Sequence, residues 1–304
     1  MSTSRCPRHD AQEIGDADPA KPFRTLASQN SRNTMATPDP TDPKRVTVRT
    51  LAKMKSVGDP ISMLTAYDYP TAKALDSAGV DVLLVGDSLA MVVQGHETTL
   101  PVTMDQMIYH AEMVGRATAR AMVVVDLPFP EGQLDISRSL QAAARVLKET
   151  RCHAVKLEGG AEQSRRIEAL VTAGIPVMAH VGLRPQNVHV EGGYRVGRDE
   201  NRLVADAKAA EDAGAFAVLI ECVTESIGRA ITDAIQVPTI GIGAGRHVNG
   251  QVLVTNDLIG LTSGYLPKFV RQYSDANGTL RDAATRFKEE MSRGSFPGPK
   301  EIFE

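Results

Sequence analysis

The chain has 304 residues, 42% of them hydrophobic, with 34 Lys and Arg against 37 Asp and Glu, a formal net charge of −3. That near-balance argues against a nucleic-acid binder, which needs a basic face, and the apolar content excludes wholesale disorder. No apolar run approaches the roughly 20 residues of a membrane helix. The three cysteines, Cys6, Cys152 and Cys222, lie too far apart for a disulfide framework or a thiolate zinc site, so a reducing cytoplasm is expected.

Residues 1–44 are rich in Ser, Thr, Pro, Asp and Arg and show no apolar periodicity, which reads as a disordered leader. They lack the apolar core of a secretory signal, and Asp10, Glu13, Asp16 and Asp18 disfavour a transit peptide. Met35 is an alternative start. Residues 45–304 form one catalytic domain in which a short apolar run alternates with a helical stretch. The runs are Ser62–Tyr67, Val82–Gly86, Met122–Asp126, Ala154–Glu158, Pro176–His180, Phe216–Glu221, Pro238–Ile242 and, weakly, one between Leu258 and Tyr265. Near-continuous Val, Leu and Ile suits parallel strands buried on both faces.

Between the runs, Thr103 and Gln106 spell a capping box, with Met107, Ile108, Ala111 and Val114 behind it at helical spacing. Ile136, Leu140, Ala143, Ala144 and Leu147 repeat that stripe. Gly79, Gly174 and Gly214 end helices, where a left-handed residue is needed. About eight such units in roughly 260 residues match a (β/α)₈ barrel, with a doubly wound open sheet as the alternative.

Ionisable residues terminate most of the runs: Asp87 and Ser88, Asp126, Lys156 with Glu158, His180, and Glu221. In a barrel these ends converge on the mouth where chemistry occurs. One such group would be a structural ion pair; six at strand ends call for a site. Lys156 and Glu158 are two apart and share a face. Asp87, Asp126 and Glu158, from neighbouring strands, form an all-oxygen set that suits Mg²⁺ first and Mn²⁺ second; zinc would recruit His or Cys, and His180 has no partner at ligand spacing. A metal at such a mouth would chelate a 2-oxo acid and acidify its neighbouring C–H. Lys156, Ser88 and His180 would contact the substrate oxygens, and Glu221 is the candidate general base. The run Gly241–Gly245 fails the dinucleotide pattern and reads as a flexible loop or an anion site.

Taken together, the strings LTAYDYPTAK (64–73), VLLVGDSLAMVVQGHETTLPVT (82–103), VVDLPF (124–129), VKLEGG (155–160), GLRPQ (182–186), GGYRV (192–196), ECV (221–223), PTIGIGAG (238–245) and GYLPKFV (264–270) resemble the ketopantoate hydroxymethyltransferase family over roughly residues 45–298. The resemblance implies a (β/α)₈ TIM barrel of the phosphoenolpyruvate mutase/isocitrate lyase group. It implies transfer of a one-carbon unit from 5,10-methylenetetrahydrofolate to 3-methyl-2-oxobutanoate, giving 2-dehydropantoate for pantothenate. Asp87, Asp126 and Glu158 match the family's Mg²⁺-associated acids. Asp87, Ser88, Asp126 and Lys156 match its keto-acid contacts, His180 a further site residue and Glu221 its proton acceptor. Homo-oligomers, typically decamers, are implied as well.

The chain departs from the family after Val196, where it is about four residues shorter, at Arg184, where the family usually has Thr, and in the loop Pro130–Gln133. Loops over a barrel mouth set substrate choice, so the alternative is a related Mg²⁺-dependent aldol-type lyase, or an enzyme of C–C or P–C bonds, on another 2-oxo acid.

Overall fold

The computed structural model describes residues 44–262 and 264–303. The expected leader, apart from Lys44, and the alternative start at Met35 lie outside them.

Eight parallel strands close into a barrel in sequence order: β1 (Ile61–Thr65), β2 (Val82–Val85), β3 (Met122–Asp126), β4 (Ala154–Glu158), β5 (Val177–Gly182), β6 (Ala217–Glu221), β7 (Thr239–Ile242) and β8 (Gly250–Leu253). A strand's side chains alternate between its two faces. One row, including Leu83, Val85, Val123, Val125, Val155, Leu157, Val177, Ala179, Val218 and Ile220, packs in the layer shared with the helices. The other row, including Ile61, Met63, Val82, Leu84, Met122, Val124, Ala154, Met178, Leu219, Ile240 and Val252, fills the barrel.

The helix Val48–Val57 covers the N-terminal end of the barrel. Leu51 is buried in the interior cluster, with Val48 and Met54 packed against it. Polar ties fix its position: Arg45 Nη1 donates to Ala121 O at 3.2 Å, and Lys55 Nζ donates to Ile235 O and Val237 O at 2.8 and 2.9 Å. The open mouth is therefore the C-terminal one.

The capping box at Thr103 and Gln106 is present, and the helix Met104–Ala117 buries Met107, Ile108, Ala111 and Val114. Gly79, Gly174 and Gly214 are left-handed, with φ of 85°, 85° and 93°. Two expectations need correction. The helix Ile136–Glu149 buries Ser139, Ala142, Ala143 and Val146, and Ile136 is exposed. Of the expected stripe, Ala143 is in the core and Leu140 and Leu147 pack against its edge, while the small residues Ser139 and Ala142 let the helix approach the barrel. The eighth strand is Gly250–Leu253, not a run between Leu258 and Tyr265, where the chain instead turns after the short helix Thr255–Leu258.

Gly250 explains why β8 is hard to read. A Cβ there would stand 2.5 Å from Ile61 O and 2.7 Å from Ile240 Cδ1. The closing strand thus begins with a residue of poor strand propensity, because only Gly lets it approach β1 and β7. Gly250→Ala should lower stability by roughly 1–3 kcal/mol through overpacking, read as a fall in denaturant midpoint; an unchanged midpoint would refute the close approach.

Candidate active site

The site is made by the inward rows running past the last apolar layer. Asp126 follows Met122 and Val124, Lys156 and Glu158 follow Ala154, His180 follows Met178, and Glu221 follows Ala217 and Leu219. Strand pairing sets Asp126 beside Lys156, and Glu158 beside His180. Asp87 comes from the turn after β2, held by its own N–H donating to Asp126 Oδ2 at 3.0 Å. These residues and Ser88 line one cavity of about 790 Å³, so every residue anticipated from the sequence is brought together there.

Asp87, Asp126, Lys156, Glu158 and His180 are all at least nine-tenths buried. Lys156 Nζ lies 3.1 Å from Asp126 Oδ1 and 3.1 Å from His180 Nδ1. Burial alone would lower its pKa, but the charges of Asp126, Glu158 and Asp87 overcome this and hold the ammonium above its ordinary range. His180 is pushed well below its ordinary range, first by burial and then by Lys156, so the ring is neutral. An ammonium only donates, so it fixes Nδ1 as the acceptor and leaves the proton on Nε2. Nε2 stands 3.3 Å from Glu221 Oε2, without the alignment of a hydrogen bond. The neighbouring approach of Nδ1 to Glu158 Oε1, at 3.9 Å, is no ion pair while the ring is neutral.

Burial raises the Glu221 carboxyl to about 7, with Lys156 opposing the rise. Its side chain keeps 17% exposure toward the cavity. Cys222, the next residue, has φ of 48°, and its N–H donates to Ile242 O at 2.9 Å. A left-handed non-glycine residue is strained, and here it turns the chain away directly after the carboxylate. Asp87 is raised to about 7 by burial and by Asp126, and Glu158 is raised well above its ordinary value by burial and by Asp87.

Three residues at or behind the cavity carry no prior assignment from the sequence. Tyr67 is buried, with its hydroxyl 2.8 Å from Ser88 Oγ. Gln186 is buried above the acids, with Nε2 donating to Asp87 Oδ2 at 2.8 Å and its N–H donating to Glu158 Oε2 at 3.1 Å. Tyr194 borders the mouth. Tyr67 stands at a strand end and was legible as such; Gln186 and Tyr194 come from a loop whose path no periodicity foretells. Arg184 does not line the cavity, and pairs instead with Glu162 and, at 3.7 Å, Glu191. The Gly241–Gly245 run is packed closely: a Cβ on left-handed Gly243 would meet Phe269 at 2.7 Å.

The donor set fits a hard cation. Four carboxylates face one cavity with Lys156 among them; Glu158 Oε1 is buried without a hydrogen bond, and Asp126 Oδ1 has only the charge of Lys156 beside it. Among the described residues no three such groups form a ready-made ligand cage. An ion there would draw on these carboxylates for some of its positions and on water and substrate for the rest, as Mg²⁺ commonly does.

The model of the family Ketopantoate hydroxymethyltransferase matches residues 45–299. The chain belongs to this family. It is 70% identical over 260 residues to the 3-methyl-2-oxobutanoate hydroxymethyltransferase of Rhodopirellula baltica, covering 86% of this chain and 97% of that one. It is 53% identical to the protein of the same name from Desulforapulum autotrophicum, covering 83% and 96%. Among solved structures, a phosphonopyruvate hydrolase complexed with oxalate and Mg²⁺ aligns with a TM-score of 0.56 at 14% identity, covering 84% of this chain and 93% of the other. A 2,3-dimethylmalate lyase of the PEP mutase/isocitrate lyase superfamily aligns with a TM-score of 0.56 at 18% identity, covering 86% and 90%. The chain thus shares its barrel fold with these two proteins.

The charge balance generates a prediction. A carboxyl whose folded pKa is raised holds stability below its unfolded value near 4 and loses it as pH rises through the folded value, about 7 for Asp87. Lys156→Met strips the counter-charge from these acids. In chelator at pH 8 it should cost about 3–5 kcal/mol, and at pH 5, with Asp87 and Glu158 protonated, clearly less. Denaturant unfolding at both pH values checks this, and equal costs would show that the ammonium is not balancing the acids.

Proposed function

We propose that this protein transfers a hydroxymethyl unit from 5,10-methylenetetrahydrofolate to 3-methyl-2-oxobutanoate, giving 2-dehydropantoate for pantothenate synthesis. The observation that carries the reading is Glu221: a carboxylate poised near neutral pH, open to a cavity whose floor holds a buried ammonium and three acids. Membership of the family supplies the name of the keto acid; the folate donor is what the sequence resemblance implies.

In this reading Glu221 takes the proton from C3 of the keto acid. A base with pKa near the working pH suits that task. Negative charge then develops on the keto oxygen, where Lys156 and the Ser88 hydroxyl, backed by Tyr67, stabilise it. His180 offers Nε2–H toward Glu221 and the substrate. The C3 carbon bonds to the one-carbon unit, tetrahydrofolate leaves, and water supplies the hydroxyl oxygen. Asp87, Asp126 and Glu158 would hold a divalent cation, Mg²⁺ first and Mn²⁺ second, which when bound supplies Lewis-acid polarisation of the keto acid. The cavity is far larger than a five-carbon acid fills, which leaves space for the folate.

Homo-oligomerisation and a cytoplasmic location belong to the same proposal. The helix Ala276–Ser292 buries only Gly278, and it leaves Leu280 64%, Phe287 50% and Met291 55% exposed along one stripe. Such a stripe calls for a covering surface, and a second copy provides one; sedimentation of the protein as a monomer would remove this reading. No helix among the described residues is long and apolar enough to cross a membrane.

The deciding experiment incubates the protein with Mg²⁺, both substrates and a chelator control, and looks for 2-dehydropantoate. Its absence, with turnover of another 2-oxo acid, would replace the reading by that of an aldol-type lyase. Glu221→Gln should cut kcat by roughly 10²–10⁴-fold while keto-acid binding, read by calorimetry, is retained. Because the base must be ionised, kcat/KM of the unaltered enzyme should rise as pH is raised through about 7. A flat profile from pH 5.5 to 8, or an unimpaired variant, would reassign Glu221.

A further inference from the structure

Gln186 is used by none of the steps above, yet it is the most heavily bonded residue over the acids. It is 6% exposed. Its Nε2 donates to Asp87 Oδ2 at 2.8 Å and to Leu127 O at 3.1 Å, and its main-chain N–H donates to Glu158 Oε2 at 3.1 Å. Its Oε1 accepts from Gln133 Nε2, which fixes which end of the amide faces Asp87. The main chain is pinned too, since Pro185 opens the short 3₁₀ turn Pro185–Asn187.

One residue thus occupies one oxygen on each of two carboxylates. The remaining oxygen of Glu158, Oε1, is buried and without a hydrogen bond, and Asp87 Oδ1 has no protein donor among the described residues. Asp126 is engaged at both oxygens, by Asp87 N–H and by Lys156. Each of Asp87 and Glu158 can therefore offer a cation one oxygen without breaking a bond to Gln186. Ca²⁺ takes six to eight oxygens and favours carboxylates that bind through both; Mg²⁺ takes six in a strict octahedron and keeps several waters.

We propose that Gln186 sets the cation preference of the centre: by holding Asp87 and Glu158 to one free oxygen each, it admits small octahedral ions such as Mg²⁺ and Mn²⁺ and discriminates against Ca²⁺. The inference rests on the reading that these acids hold a divalent cation. It makes Gln186 a positioning residue, acting through the carboxylates and not on the substrate.

The test is calorimetric titration of the metal-free full-length protein with Mg²⁺ and with Ca²⁺, comparing Gln186→Met with the unaltered chain. Met matches the length and bulk of Gln and deletes both amide donors. The unaltered protein should bind Mg²⁺ at least tenfold more tightly than Ca²⁺. In Gln186→Met that ratio should fall at least tenfold, mainly through tighter Ca²⁺ binding, as Asp87 becomes free to bind through both oxygens. A folded Gln186→Met with an unaltered ratio would overturn the proposal and leave the cation reading standing. If this variant does not melt cooperatively, Gln133→Met, outside the acid cluster, removes the donor that orients the amide, and the ratio should shift in the same direction; no shift there overturns the proposal equally. An unaltered protein that binds neither ion would remove the cation reading and this one with it.

Discussion

The structure turns on one buried ammonium. Lys156 sits 3.1 Å from both Asp126 and His180 at the point where the barrel interior changes from aliphatic to acidic. A cation in that position reconciles carboxylates that would repel one another, and it is itself tolerable only because they surround it. It also decides the state of its neighbours. Its charge adds to burial in keeping His180 neutral, its donation to Nδ1 fixes the tautomer, and it holds Glu221 from rising further. A His or Arg there would not do the same: the first could lose its charge near neutral pH, and the second spreads its charge over a rigid fork.

The alternation of strand side chains gives this arrangement its economy. The row that packs the interior as Met122 and Val124 ends as Asp126; the row that begins with Ala154 continues as Lys156 and Glu158. Site and core are one set of columns, so a register shift of one residue would turn the acids out into the layer of helices. The same alternation made much of the site legible. A Lys and a Glu two apart after a buried run share a face whatever the fold, and an ionisable residue at the end of most apolar runs fits a barrel better than an open sheet.

What stayed illegible has physical causes. Gln186 reaches Asp87 across 99 positions of sequence, and an amide in a loop carries no pattern that foretells such a reach. Strand β8 was misplaced because its first residue is selected for absence of bulk, which propensity counts against a strand. The helix Ile136–Glu149 was read by its aliphatic residues, whereas close approach favoured Ala and Ser on the inner face. In each case a tertiary contact overrode a local preference. The acids anticipated from the strand ends share one cavity, and the two bonds from Gln186 take up part of their valence.

The helix Val48–Val57 has a kinetic consequence. With Leu51 seated in the interior cluster and Lys55 tied to Ile235 and Val237 on the far rim, the barrel is a blind well with one entrance. Traffic in a blind well is sequential. A compound that lies against Lys156 must arrive before anything occupying the outer space and must depart after it, so the geometry imposes a compulsory order of addition and release on any two-substrate reaction carried out at its floor.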